Sequence, residues 1–291
     1  MLKDNTGRGI VLIVVAMMFI AGMDATGKLL TQSYPIFQIL AIRFVIFFSV
    51  AVFVVARSGQ IGRIRSKLFG TQVFRSLLLV VEISVFIFAF SLMPLADAHA
   101  VAAVAPLIAT LMAGMFLGEA IGLRRWISVA IGFVGALIIL RPGLGIGNAY
   151  ALIPLVGAVL WAAYQVLLRR VSSLDSPETT VLFTAVIGLI VFGALAPFYW
   201  IAPTGPGWAL LILNGLLGSL GHYILIRALV LAPASTLQPF SYALLLWAIV
   251  FGFVVFGDLP DTLTFVGAAI VVGAGILSSD GGRSLVRKVW R

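Results

Sequence analysis

Hydrophobic residues form ten stretches of close to twenty residues each, and most basic residues lie between these stretches. A hydrocarbon core about 30 Å thick needs roughly 20 helical residues to cross it. A helix that is apolar on all sides also has no stable place on a small soluble domain. The pattern therefore predicts an all-α integral membrane protein with ten transmembrane helices. The predicted spans are Ile10–Leu30, Ile36–Ala56, Gln72–Leu92, His99–Leu117, Trp126–Leu140, Tyr150–Leu168, Thr179–Trp200, Trp208–Leu231, Ser235–Phe256 and Leu263–Leu277.

The composition supports this class. Hydrophobic residues make up 62% of the chain and charged residues 10%, whereas ordinary soluble domains contain about 25% charged residues. Because the chain has no cysteine, it has neither a disulfide framework nor a thiolate metal site. The first span is longer than the signal-peptide core of about 7–15 residues, so we expect it to be a permanent helix.

The net charge of +9 is explained by topology. If the ten spans alternate in direction, 14 of the 19 basic residues fall on one side of the membrane and only Arg141 falls between spans on the other. An excess of Lys and Arg marks the cytoplasmic side, so both termini are predicted to be cytoplasmic. The basic loops then lie near anionic lipid head groups, and the charge gives no reason to infer nucleic-acid binding.

The two halves of the sequence resemble each other. A shift of 139 residues places Pro94 on Pro233, Gly118 on Gly257 and Glu119 on Asp258. Each half holds five spans, so the halves would enter the membrane in opposite senses, as in the inverted repeats of secondary transporters. The sequence predicts a first five-helix repeat over residues 1–143 and a second, with a basic cytoplasmic tail, over residues 144–291.

Three short motifs in the first half resemble a known family. They are "IRF" at Ile42–Phe44, "PLADA" at Pro94–Ala98 and "LGEAIGLRRW" at Leu117–Trp126. These motifs are similar to the first repeat of the EamA family of the drug/metabolite transporter superfamily. Within that family they resemble bacterial members associated with S-adenosylmethionine or other small metabolites. The resemblance implies paired inverted repeats around a central cavity, in a monomer or homodimer of the bacterial inner membrane.

Glu82 is the most informative polar residue inside a span. It lies about ten residues from either end of span three, or roughly 15 Å from each interface. Ionisable groups in hydrocarbon usually face a partner or a water-filled pathway. A desolvated carboxyl at this depth could exchange a proton or attract a cation, with the aromatic Phe86 on the same helical face. The alternative is a structural salt bridge with Arg43 or Arg75.

Other polar residues in the spans each have two interpretations. His222, beside Tyr223, either lines a cavity or bonds to a neighbour on its own helix. Asp24 and Lys28 have the i,i+4 spacing of an ion pair, so Asp24 either packs in neutralised form or contacts a ligand. Arg43 either clamps a carboxylate or phosphate or pairs with one of the buried acids.

The remaining candidates lie on spans three, six, eight and nine. Trp161 and Tyr164 form either an aromatic wall or ordinary packing, and Gln165 follows one turn after Trp161. Arg75 and Arg227 lie toward cytoplasmic ends, where we expect their side chains to extend to the interface. Gln238 stands next to a proline that frees a backbone carbonyl, which either serves a ligand or bends the helix.

These observations favour a secondary transporter that moves a small organic metabolite by alternating access, with an organic cation or zwitterion as substrate and the proton as a candidate coupling ion. An exporter of amino acids or organic anions that uses Arg43 is the alternative. No phosphate-binding loop, cofactor or metal site is expected, and an intramembrane enzyme or a channel fits less well. The predicted substrate-binding or coupling residues are Glu82, His222, Asp24, Arg43, Phe86, Trp161, Gln165, Tyr223 and Gln238.

Overall fold

The computed structural model describes residues 6–58, 66–117, 123–140, 150–172, 174–231 and 238–278, and in these residues every regular element is helical. Eleven α-helices occur there. They are α1 Thr6–Thr31, α2 Ile36–Ser58, α3 Phe69–Leu92, α4 Leu95–Ala102, α5 Ala105–Leu117, α6 Leu123–Leu140, α7 Leu152–Ser172, α8 Pro177–Leu195, α9 Gly205–Leu231, α10 Ala243–Phe251 and α11 Thr262–Ser278. Short 3₁₀ turns cover Ala196–Tyr199 and Gln238–Tyr242, and a π-helical turn covers Gly252–Phe256.

The helices coincide with the predicted apolar stretches. Span four is divided into α4 and α5, and span nine combines a 3₁₀ turn, α10 and a π-helical turn. Five helices of the described residues are long and apolar enough to cross a membrane, and the apolar helical segments elsewhere in the described residues span 10–17 residues each. The prediction of an all-helical membrane protein is confirmed, and the count of ten crossings stays a prediction.

Local sequence signals explain where helices begin and end. Met93 is extended and Pro94 caps α4, because the residue before a proline avoids the helical conformation. Ser176 caps α8 by accepting a hydrogen bond from Thr179 N, a role for which serine is well suited. Gly257 ends the π-helical turn with φ of 73°, a left-handed conformation that glycine adopts without strain.

Contacts between helices follow a two-fold pattern. In the first half the helical units are α1, α2, α3, α4 with α5, and α6, and in the second they are α7, α8, α9, α10 with its flanking turns, and α11. The contact of α1 with α9 has its counterpart in the contact of α7 with α3. In the same way, α2 packs on α9 as α8 packs on α3, and α1 packs on α10 as α7 packs on α5. The pairs α2–α8 and α6–α11 join equivalent helices.

Glycines allow the tightest of these contacts. A Cβ on Gly218 of α9 would lie 2.6 Å from Met23 Sδ, and one on Gly221 would lie 2.9 Å from Ile20 Cγ1, so both glycines bring α9 against α1. On α6 and α11, Gly135 and Gly267 face each other's backbone carbonyls. Small residues permit such close approach where lipid provides no hydrophobic drive between helices.

Polar contacts join the two halves at both ends of α3. Before its start, Asp175 of the second half accepts hydrogen bonds from Ser66 Oγ at 2.5 Å, Lys67 N at 2.8 Å and Gln72 Nε2 at 2.9 Å. Beyond its end, Lys28 Nζ donates to Met93 O at 3.0 Å and pairs with Asp258 Oδ2 at 3.2 Å. The middle of α3 therefore lies between two groups of polar contacts, each of which links the two halves.

Candidate functional site

Glu82 lies at the middle of α3, with 6% of its surface exposed. Among the described residues it forms neither a hydrogen bond nor an ion pair, so the alternative interpretation of Glu82, a structural salt bridge with Arg43 or Arg75, is wrong. It is within electrostatic range of Asp24 and Arg43. Burying an ionised carboxylate without a partner costs several kcal/mol, so this side chain is held at an energetic disadvantage that a ligand or a proton would relieve.

Arg43 of α2 is held by a residue of the other half. Its Nε donates to Asn214 Oδ1 of α9 at 2.8 Å. Asn214 is 1% exposed, and its Nδ2 donates to Met23 O at 2.6 Å and to Thr26 Oγ1 at 2.9 Å, both on α1. One amide therefore connects three helices around Arg43. Arg43 does not form the expected ion pair with a buried acid, although Asp24 and Glu82 are within electrostatic range.

Asp24 of α1 pairs across the molecule instead of along its own helix. Its Oδ2 lies 3.2 Å from His99 Nε2 of α4, a contact with the distance of an ion pair but without the geometry of a hydrogen bond. The predicted i,i+4 pair with Lys28 is absent, because Lys28 binds Asp258 and lies over the Phe256 ring. His99 lies on α4, which packs on α1, and Asp258 follows the π-helical turn Gly252–Phe256, whose Phe256 ring lies under Lys28.

Aromatic rings line the region between α3, α4 and α7. Phe86 packs on Phe90 with ring centroids 5.9 Å apart, and Phe90 packs on His99 at 5.2 Å. Phe86 also contacts α7, where its ring fills the space beside Gly157. One turn further along α7, Trp161 stacks on Tyr164 at 5.2 Å with an interplanar angle of 22°. The aromatic residues predicted from spans three and six therefore come from two helices in contact.

The structure places the other predicted residues less centrally. His222 Nδ1 lies 2.8 Å from Gly218 O, and its ring packs edge-on against Phe47. Tyr223 is 42% exposed, and its hydroxyl accepts from Arg227 at 3.5 Å. Gln165 is half-buried on α7. The Gln238 side chain lies outside the described residues, although its backbone begins the 3₁₀ turn Gln238–Tyr242.

Arg75 corrects a sequence expectation. The side chain is 0% exposed and does not extend to the interface. It donates six hydrogen bonds, to Gln72 twice and to Ser76, Tyr164, Thr180 and Thr184, at 2.9–3.3 Å. These acceptors come from α3, α7 and α8, and they replace the water that an interfacial arginine would bind. Arg227 of α9, by contrast, is exposed as predicted.

Asp175 extends the Arg75 cluster to the end of the bundle. Gln72 bonds to both Arg75 and Asp175, so the cluster is continuous from Asp175 to Tyr164. Burial opposes ionisation of Asp175, but hydrogen bonds from Ser66, Gln72 and the Lys67 N–H outweigh burial and hold its pKa below the usual value. Tyr164 lies within electrostatic range of Glu82 as well as of Arg75, so it stands between the two polar groups of α3.

Sequence reasoning missed Asn214, His99, Tyr164 as a hydrogen-bond partner, and the buried role of Arg75. The signal for Asn214 is an amide in the middle of an apolar span. The signal for His99 is an ionisable side chain at the start of span four. In each case the missing information was the partner helix, which the sequence alone does not specify.

Two grooves on the surface of the bundle are lined by apolar side chains. One, of about 280 Å³, includes Phe19, Leu217 and Phe251. The other, of about 360 Å³, includes Trp200 and Trp208. Neither groove is lined by a predicted site residue, so Glu82, Asp24 and Arg43 lie inside the helix packing and not along these grooves.

Comparison with known proteins gives a consistent result. A model described as the EamA-like transporter family matches residues 7–141 and 148–279. The chain is 34% identical over 211 residues to a riboflavin transporter of Vibrio cholerae, covering 72% of this chain and 71% of the relative. It is 27% identical over 203 residues to an S-adenosylmethionine uptake transporter of Rickettsia felis, covering 70% and 69%. A solved crystal structure with 18% identity has a TM-score of 0.67 over 96% of this chain and 98% of that one, which supports the fold alone.

Proposed function

Because this chain belongs to the EamA-like transporter family, we propose that it is a secondary carrier that moves one small organic metabolite across the bacterial inner membrane by alternating access. The chain is a transporter and not an enzyme, as its family and the names of its relatives indicate. The observation that carries the proposed mechanism is Glu82, a carboxyl buried in the middle of α3 without a partner among the described residues. Buried ionisable groups of this kind typically mark substrate or ion pathways.

The first candidate substrate is riboflavin. The relative named as a riboflavin transporter is 34% identical to this chain, and the one named for S-adenosylmethionine uptake is 27% identical. Riboflavin combines a planar ring system with a polar chain. Phe86, Phe90, Trp161 and Tyr164 offer ring faces on α3 and α7, and Glu82 offers an acceptor for hydroxyl groups on the same helix.

The second candidate is a cation with an aromatic ring, such as S-adenosylmethionine. The observation that favours it is the charge balance of the interior, where two acids, Asp24 and Glu82, surround one base, Arg43. These three side chains therefore comprise one more acidic than basic group. A cationic substrate would supply a balancing positive charge and gain a cation–π contact worth about 0.5–2 kcal/mol.

The same balance supports a coupled proton. For a neutral substrate such as riboflavin, one proton bound to Glu82 would balance the charge of the interior in place of a cation. Transport of a neutral substrate would then be driven by a proton gradient, whereas a cationic substrate would compete with the proton. A zwitterion that contains a carboxylate would also contact Arg43. Export of amino acids or organic anions through Arg43 therefore stays the alternative function.

Uptake into proteoliposomes separates these candidates. We expect saturable riboflavin uptake that is stimulated by an inward proton gradient and shows counterflow against preloaded riboflavin. Protein-free liposomes provide the baseline. Saturable uptake of S-adenosylmethionine alone would assign the second candidate. Flux without saturation or counterflow would contradict a carrier and indicate a channel.

The topology proposed from the sequence has ten crossings, two inverted repeats over residues 1–143 and 144–291, and cytoplasmic termini. The matched helix contacts of the two halves support the repeat, and the 14-to-1 distribution of basic residues supports the orientation.

Gly205 and Gly70 are matched test sites for the orientation, because nothing lies within 4 Å of a Cβ at either. In intact cells an impermeant maleimide should label Gly205→Cys and spare Gly70→Cys. The reverse labelling would refute the orientation.

A further inference from the structure

Asn214 is the residue through which the second half of the chain reaches the charged interior. Asp24, Arg43 and Glu82 all belong to α1, α2 and α3 of the first half. Asn214 comes from α9 and is 1% exposed. Close packing of α9 on α1 at Gly218 makes its reach possible, because a Cβ there would meet Met23 Sδ at 2.6 Å.

The hydrogen bonds of Asn214 use almost the whole capacity of its amide. The oxygen accepts from Arg43 Nε at 2.8 Å, and the nitrogen donates to Met23 O at 2.6 Å and Thr26 Oγ1 at 2.9 Å. An amide held on both nitrogen donors cannot rotate freely, so its oxygen is fixed in position. The guanidinium of Arg43 is therefore oriented through Nε, and its two terminal nitrogens have no hydrogen-bond partner among the described residues.

Room beside the guanidinium comes from Gly27 of α1. A Cβ at this position would lie 3.3 Å from Arg43 Nη2 and 3.5 Å from Asn214 Nδ2. The terminal nitrogens of Arg43 thus face α1 one turn from Asp24, within electrostatic range of both buried acids. A small rotation of the guanidinium would change how its charge is shared between these acids.

We propose that Asn214 is a positioning residue for transport: its hydrogen bond fixes the orientation of the Arg43 guanidinium and thereby sets the affinity of the interior site for substrate. This inference rests on the proposed function and adds to it a residue that acts through Arg43. It also gives the second repeat a defined role at a site whose charges come from the first.

The test is a double-mutant cycle between Asn214→Leu and Arg43→Gln. We expect Asn214→Leu to raise the half-saturating concentration of riboflavin by at least about tenfold, because an oriented hydrogen bond to a charged group is lost. In the Arg43→Gln background the same substitution should change it by less than about twofold, because no guanidinium remains to be oriented.

Gln38→Leu is the matched control. Gln38 is a buried amide on α2 that also joins the halves, through Ile201 O at 2.7 Å and Ile201 N at 2.9 Å, and it does not contact Arg43. Its loss should lower the melting temperature and leave the half-saturating concentration unchanged. If Asn214→Leu yields no folded protein, Asn214→Ser replaces it in both backgrounds.

Two results would overturn the inference. One is that Asn214→Leu raises the half-saturating concentration by the same factor with and without Arg43. The other is that Asn214→Leu changes only the melting temperature, as expected for Gln38→Leu. A wild-type protein that transports neither riboflavin nor S-adenosylmethionine would refute both candidate substrates separately from this inference. Effects of Asn214→Leu and Arg43→Gln on the melting temperature that add within about 2 °C would also overturn the inference, because the contact between the two side chains would then not couple them.

Discussion

Arg75 and Glu82 lie two turns apart on the same helix, and their surroundings are opposite. Arg75 is fully enclosed and donates six hydrogen bonds to α3, α7 and α8. Glu82 is almost as deeply buried but has no hydrogen bond or ion pair within the described residues. Both are ionisable groups in an apolar span, so depth in the membrane alone does not distinguish them.

The difference between them is a difference of role. A buried charge that is fully hydrogen-bonded holds elements together, and removing it leaves its partners unsatisfied. A buried charge without partners weakens the folded state by its desolvation, so it persists where a ligand or proton completes it. We therefore expect the Arg75 cluster to carry stability and the Glu82 region to carry transport.

Arg75→Gln should have the largest effect on stability. Loss of the guanidinium leaves Tyr164, Gln72 and Thr180 O without their donor. We expect this to lower the free energy of unfolding by about 3–5 kcal/mol. At about 2–4 °C per kcal/mol, the melting temperature in detergent should fall by at least about 6 °C. The exposed Arg227→Gln is the control, with a change of less than about 2 °C. Equal melting temperatures for the two variants would contradict a structural role for Arg75.

Asp175→Asn should have the second-largest effect and lower the free energy of unfolding by roughly 2–3 kcal/mol. The reason is that the Asp175 carboxylate accepts three hydrogen bonds at the start of α3. The pKa of Asp175 is lowered in the folded protein. Its ionisation therefore stabilises the protein fully above the unfolded value of about 3.9, and this contribution is lost as pH falls toward the lower folded value.

The melting temperatures of wild type and Asp175→Asn should therefore differ by a constant amount from pH 7 to about pH 4 and converge below it. Glu178→Gln, at a half-buried position outside the Asp175 cluster, should show no such convergence. A gap that stays constant down to pH 3 would mean that the charge of Asp175 does not contribute.

Tyr164→Phe should have a smaller effect, about 1–1.5 kcal/mol, because only the hydrogen bond from Arg75 Nη1 at 3.0 Å is lost. Tyr150→Phe, at an exposed position, is the matched control for stability. This variant also sharpens the comparison, since Tyr164 lies between the two polar groups. A transport defect larger than the stability loss would show that the Arg75 cluster and Glu82 act together.

The fold was largely accessible from the sequence, because a membrane selects helices by length and hydrophobicity. Every predicted span overlaps helical structure in the part of the chain that the structure describes, but the interruption between α4 and α5 and the 3₁₀ and π-helical turns of span nine went unforeseen. The family was recognisable from the motifs around Pro94 and Leu117. Both features depend on local residues.

The partners of the polar residues were not accessible in the same way. Lys28 pairs with Asp258, 230 residues away, instead of with Asp24 on its own helix. Arg75 is enclosed because α7 and α8 pack against it, not because of any residue within α3 alone. Asn214 became visible only when α9 was placed against α1. A hydropathy pattern specifies how deep a residue lies but not which helix covers it.

Glu82→Gln tests the central claim most directly, because it removes the charge and keeps the size of the side chain. We predict the smallest change in stability of the set, a melting temperature within about 2 °C of wild type, together with at least a tenfold loss of transport, equivalent to about 1.4 kcal/mol. Glu178→Gln should leave both unchanged. Wild-type uptake and pH dependence in Glu82→Gln, or a melting temperature as low as that of Arg75→Gln, would contradict the assignment of transport to Glu82.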